Sequence, residues 1–205
     1  LYYQARGLED AREAHAFLTE ERLDLEETVV VGLDGAITIP IRYRNVREVA
    51  FKAYPVDLQV LFAVRKTLEG LHDIDLSGIV PAHQWVVDFE DAKDHLGHDG
   101  TVEVPVEAGQ PGAWLIVAKA GDHEAKTLVV KTDLDVVLQR VGEKLRVYVT
   151  DGEGQNVKEA YVTVADGKRI RARGLTDGRG LFEAPGVGTG SAVVVSKGDR
   201  FAIAR

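Results

Sequence analysis

The sequence predicts a mainly β chain: two consecutive β-sandwiches, the first with an inserted helix, preceded by a short N-terminal helix. Three observations carry that prediction. From Thr28 onward, short alternating or continuous apolar runs recur between turn residues, as strands with one or two buried faces do. Only residues 55–71 interrupt this rhythm with a helical repeat. Eleven of the 21 glycines fall within residues 141–205, where many tight turns join short strands.

Residues 1–27 hold eight acidic and three basic residues, with Leu8, Ala11, His15 and Leu18 at helical spacing. They read as a short acidic helix, either a linker or the last helix of a preceding helical domain. The apolar start Leu1-Tyr2-Tyr3 favours the second.

The first sandwich is expected over residues 28–140, beginning with strands at 29–31, 36–43 and 49–54. In Ile37-Thr38-Ile39-Pro40-Ile41-Arg42-Tyr43 every second residue is apolar. Pro40 has no N–H to donate, so the strand lies at an edge or presents that position outward. In 55–71, Val56, Leu58, Val60, Leu61, Val64, Leu68 and Leu71 form a broad apolar face, with Pro55 in the first turn and Gly70 at the end. Strands resume at 84–89, 101–106, 113–119 and 127–131, and Pro111-Gly112 marks a tight turn feeding a buried strand.

The boundary is expected near residues 139–143, with a small sandwich over 141–205 and strands at 145–150, 160–165, 170–173, 180–184, 192–196 and 201–204. A sandwich of this size is marginal alone and is expected to pack on a neighbour.

Composition narrows the function. Of the 205 residues, 45% are hydrophobic and 28% charged, as in an ordinary soluble globular protein. No apolar run approaches the ~20 residues of a membrane span. A net charge of -8 argues against nucleic acid, which demands a basic face. The absence of cysteine excludes disulfides, thiolate metal sites and a cysteine nucleophile. With no Met and no basic-then-apolar signal after Leu1, the chain reads as a piece of a longer polypeptide.

Two stretches resemble a known family. Val149-Thr150-Asp151-Gly152-Glu153-Gly154-Gln155-Asn156-Val157 continues through Ala160 and Val162 to Thr176-Asp177-Gly178-Arg179-Gly180-Leu181-Phe182. This is similar to a pattern shared by bacterial immunoglobulin-like repeats, carboxypeptidase-regulatory-like domains and macroglobulin domains. Earlier, Tyr43-Arg44-Asn45-Val46 leads into Tyr54-Pro55-Val56-Asp57-Leu58, followed by Gly109-Gln110-Pro111-Gly112-Ala113-Trp114 and Lys131-Thr132-Asp133-Leu134. Together these resemble the layout of bacterial alpha-2-macroglobulins over roughly residues 36–205. The resemblance implies immunoglobulin-like, macroglobulin-type sandwiches serving as non-catalytic framework of an exported, periplasmic or cell-surface protease trap. It implies as partners the other domains of the parent chain and, through the parent, proteases. The reactive Cys-Gly-Glu-Gln thioester of many relatives has no counterpart here.

No catalytic residue, cofactor or metal ligand set is assigned from the residues. Asp88, Glu90, Asp91, Asp94, His95, His98 and Asp99 bring carboxylates and imidazoles together, but their spacing matches no metal site and reads as a solvated acidic loop. The segment 186–191, Gly-Val-Gly-Thr-Gly-Ser, lacks the lysine and following helix of a phosphate loop. Ser77, Ser191 and Ser196 sit in no nucleophile turn, and His72, Asp73 and Asp75 read as a solvated turn. Trp85 and Trp114 lie in apolar strands and read as core. One interaction strip stands out: strand alternation would put Arg169, Arg171 and Arg173 on one face. It would meet an acidic neighbouring domain or a polyanion, or simply guard an edge. The alternative function it suggests is a carbohydrate- or polyanion-binding accessory module of a larger enzyme.

Overall fold

The computed structural model describes residues 10–12, 15, 18–66, 70, 74, 76, 78–89, 94–107, 109–166 and 169–205. Residues 10–12, 15 and 18–19 are helical, but the acidic segment then turns into a strand that its sequence does not announce. That strand is β1 (Arg22–Leu25), of which only Leu23 is buried. Then follow β2 (Thr28–Val31), β3 (Ile37–Arg44), β4 (Glu48–Pro55), helix α1 (Leu58–Arg65), β5 (His83–Asp88), β6 (His98–Val104), β7 (Gly112–Ala120) and β8 (His123–Lys131).

A three-stranded sheet, β1-β3-β6, packs on a five-stranded sheet, β2-β8-β7-β4-β5. The core between them takes Ile37, Ile39, Ile41 and Tyr43 from β3, Val49, Phe51 and Ala53 from β4, and Trp114, Ile116 and Ala118 from β7. Pro40 sits on a central strand, not an edge, and on its outward face, as the second alternative expected. Pairing of β1 stops at Ile41, so no partner on that side needs the missing N–H. Gly112 also has a reason: a Cβ there would lie 2.7 Å from the Trp114 ring, so only glycine lets the indole fold back over the strand start.

Lys131 is fully buried at one end of this core, its Nζ donating to Gly35 O (3.1 Å) and Glu107 O (3.3 Å). It ties together two loops that close the sandwich end, supported by Gly109 N donating to Leu33 O at 3.1 Å.

The second sandwich comprises β9 (Asp135–Val141), β10 (Lys144–Thr150), β11 (Tyr161–Asp166), β12 (Arg169–Leu175), β13 (Leu181–Pro185), β14 (Ala192–Lys197) and β15 (Arg200–Ala204). Sheet β13-β10-β9 packs on sheet β12-β11-β14-β15 around Val147, Val149, Val162, Val164, Val193 and Val195. Residues 139–143, expected as a boundary, instead form part of a hairpin. Gly142, at φ 59°, turns β9 back along β10, and Val136 and Leu138 of β9 pack on the second core. The chain passes between sandwiches at residues 132–134.

The second sandwich explains its own motif. Asp151 Oδ1 accepts from Glu153 N (3.1 Å) and Gln155 N (2.8 Å), and Gly154 at φ 76° closes that turn. Thr176 Oγ1, buried, accepts from Ala160 N (2.9 Å) and donates to Val157 O (2.6 Å). Asp177 Oδ1 accepts from Arg179 N (2.9 Å) and Leu181 N (3.0 Å). At Gly180, φ 68°, a Cβ would lie 2.4 Å from Val149 O, so backbone packs where any side chain would collide.

Candidate interaction surfaces and the joint between the sandwiches

The apolar repeat over 55–71 builds a shorter helix than expected. Pro55 ends β4, and Asp57 is the N-cap, its Oδ1 accepting from Gln59 N (2.8 Å) and Val60 N (3.1 Å). An aspartate satisfies amides that the first helical turn cannot. Lys66, left-handed at φ 61°, terminates the helix, donating its N–H to Phe62 O at 2.7 Å. Residues 67–69 and 71 of the expected helix lie outside the described residues.

Leu58 and Phe62, four apart, fall on one face of α1 and enter a third apolar core. Ala113, Leu128 and Val130 reach it from the outer face of the five-stranded sheet, and Ala165 and Val194 from the outer face of the β11–β14 sheet. This explains why β7 reads as a continuous apolar run: it is buried on both faces. Gln59 adds a polar clamp. Its Nε2 donates to Tyr161 O (3.3 Å) and Val194 O (3.4 Å), and its Oε1 accepts from Thr163 Oγ1 at 3.0 Å. Thr163 is buried, so the amide satisfies a hydroxyl that has lost water. Beside the seam, Arg200 Nη1 donates to both oxygens of Asp133 (3.0 and 3.3 Å), and Arg205 meets Glu27 at 3.7 Å.

The arginine strip lies on β12, an edge strand, and all three guanidinium-bearing residues are exposed. A bulge breaks their alternation. Val164 pairs with Ala172, but Ala165 pairs with Ile170, leaving Arg171 unpaired between them. Ala172 therefore packs on the second core and Ile170 on the third, though they are two residues apart. Arg173, opposite Thr163, shares the side of the joint, and Arg169, opposite Asp166, takes the other. Arg171 Nη2 meets Asp166 Oδ2 at 3.2 Å. The expected one-faced strip is thus not formed, because an extra residue shifts the period.

The acidic, histidine-bearing loop divides into two hydrogen bonds. His95 Nδ1 meets Asn45 Oδ1 and His98 Nε2 meets Asp94 Oδ1, each at 2.9 Å. Asn45 Nδ2 donates onward to Leu18 O (2.6 Å) and Glu20 O (3.0 Å), so the group fastens the incoming chain. His98 holds the Asp94 carboxyl below the usual carboxylate range, aided by Leu96 N–H. Among the described residues no group of three or more metal-type ligands stands together. Glu90, Asp91, Ser77, His72, Asp73 and Asp75 lie outside them.

In the glycine-rich turn, Gly188 N donates to Asp166 Oδ2 (3.3 Å), while the carbonyls of Val187 and Gly188 face the Arg140 guanidinium. Those peptide groups are committed, and a strand follows the turn. Ser191 Oγ donates to Gly188 O at 2.7 Å. Trp114 is core as expected, and Trp85, half-buried, packs on the same core, stacked on Phe51 with centroids 5.1 Å apart.

An open groove of about 570 Å³ crosses the outer surface of β10 and β13, lined by Arg146, Tyr148, Leu175, Arg179, Phe182 and Glu183. Both guanidinium groups are already paired, Arg146 with Glu183 and Arg179 with Asp177, each at 2.8 Å. These bonds pull the Glu183 and Asp177 carboxyls below their ordinary values and push both arginines up.

No protein-family model matches the chain. Among solved structures, it is similar to Escherichia coli alpha-2-macroglobulin spanning domains MG0-NIE-MG1, at 17% identity and TM-score 0.69, covering 90% of this chain and 64% of that one. A structure of that protein spanning NIE-MG1 matches 91% of this chain and 97% of its own length, at 15% identity and TM-score 0.65. Salmonella alpha-2-macroglobulin matches over 90% of this chain at 15% identity and TM-score 0.67, and there the match spans 12% of the relative. The fold of this chain is therefore that of two adjacent domains of a bacterial alpha-2-macroglobulin.

Proposed function

We propose that the chain is a non-catalytic framework unit of an exported alpha-2-macroglobulin-like protease trap, with its two sandwiches acting as one stiff strut. The observation that carries this reading is the third apolar core. Domains that swing freely meet through modest, polar interfaces. Here α1 fills the gap with Leu58 and Phe62, and the Gln59 amide fixes the angle by bonding the adjacent main chains of β11 and β14. A unit of that kind transmits displacement as a body and holds distant working parts at fixed spacing.

The partners on this reading are other domains of the parent and, through them, proteases. The bulge that parts Arg169 from Arg173 favours this reading over a polyanion-binding module. The test is protease capture by the full parent protein carrying Gln59→Ala and Phe62→Ala together. Capture should fall sharply while both sandwiches stay folded by NMR. A parent lacking this whole unit that still sequesters protease would overturn the proposal.

A further inference from the structure

We infer that β9 is an acceptor edge, taking an extended polypeptide segment of neutral or basic character as an added strand on the β13-β10-β9 sheet. The inference comes from comparing the edges of the four sheets and is independent of the trap reading.

Unpaired edges are a hazard that proteins blunt by shortness, proline, charge or bulges. The structure applies one of these at most of its long edges. Strand β12 has three arginines and the bulge at Arg171. Strand β6 presents Asp99 and Glu103 outward and runs into Pro105. Strands β1 and β2 are four residues each, while β13 is five residues and ends in Pro185. Strand β5 is bounded by His83 and Asp88, and β15 by Arg200.

Strand β9 relies on charge alone, at Asp135 and Arg140. It has seven residues in unbroken register with β10, without proline, lysine or bulge. Its one cation, Arg140, is drawn away to the carbonyls of Val187 and Gly188. Val137 and Val141 remain 55% and 43% exposed with Gln139 between them. Among the described residues no strand pairs with its far side.

The free edge specifies its occupant. Val136 N already donates to Asp135 Oδ1 (2.9 Å); the remaining edge main-chain groups are answered by another extended main chain, and Val137, Gln139 and Val141 by alternating aliphatic and small polar side chains. Asp135 and Glu143 bracket the edge, and the chain's net charge is -8. Both favour a segment with basic ends over a second copy, which would set these carboxylates against each other.

The test titrates the whole chain with a synthetic peptide of alternating valine and threonine, one lysine at each end, followed by amide NMR shifts and hydrogen exchange. Shifts and slowed exchange should concentrate on residues 135–141, and Val137→Lys with Val141→Lys should weaken binding at least tenfold. Gln139→Lys alone serves as a second variant should the double change disturb folding. No shift at millimolar peptide, or shifts at β12 or β6 instead, would overturn the inference. Concentration-dependent self-association abolished by the same variants would overturn the choice of occupant in favour of a second copy.

Discussion

Truncating Phe62 tests whether the two sandwiches are one body. The ring is 1% exposed and lies between the two outer sheet faces. Removing a buried phenylalanine ring generally costs about 3–5 kcal/mol, lost transfer energy plus the cavity left behind. This site has little freedom to collapse, because α1 is pinned by the Asp57 cap at one end, the Lys66 turn at the other and the Gln59 clamp between. Phe62→Ala should therefore fall within that range. The loss should appear as uncoupling as well as destabilisation, because the ring bridges two units and the smaller one is marginal alone. Urea unfolding followed by two probes separates these effects. Trp85 and Trp114, the only tryptophans, report the first sandwich. Methyl resonances of Val147, Val162 and Val193 report the second. In the unmodified chain the two transitions should coincide. In Phe62→Ala the valine transition should move to lower urea, ahead of the tryptophan one. Val64→Ala, two residues along on the opposite side of the helix and 74% exposed, should change stability by no more than about 0.5 kcal/mol. A Phe62→Ala chain that still unfolds in one coincident transition, shifted by less than about 1 kcal/mol, falls below the range for a truncated core phenylalanine. That result would refute the bridging argument.

Two further outcomes follow from the second sandwich. Thr176→Val should cost about 1–3 kcal/mol, since it leaves Ala160 N and Val157 O without their buried hydroxyl. A urea midpoint equal to that of the parent chain would show that the motif threonine is dispensable. The Asp177 carboxyl, held low by Arg179, should titrate by NMR below an ordinary aspartate and return toward it in Arg179→Ala. Its stabilising contribution is present above the unfolded-state value and lost as pH falls through the lowered folded value, in the region below about pH 4. An unchanged titration midpoint in the variant would remove Arg179 as the cause.

Fold class lies in the sequence because local physics fixes it. The alternation in β3, the continuous run in β7 and the turn residues Asp151, Gly154, Asp177 and Gly180 each act within a few residues, so their roles can be read without knowing the neighbours. The overlooked strands had weaker local signals. Strand β1 buries only Leu23, and β9 has valines on both faces, so neither shows clean alternation.

What only the tertiary structure decided are relations between distant residues. Helix α1 appears in the sequence as an apolar repeat, but nothing local says that Phe62 will meet Val194, or that the Gln59 amide will find Thr163 more than a hundred residues away. The arginine strip fails for a similar reason: a single-residue slip between β11 and β12 is set by how both strands pack on two different cores. The openness of β9 is likewise a property of sheet order, which the sequence does not spell out. Periodicity and turn chemistry are carried by neighbours in the chain, whereas register, edges and joints come from which surfaces remain to be buried once the sandwiches have formed.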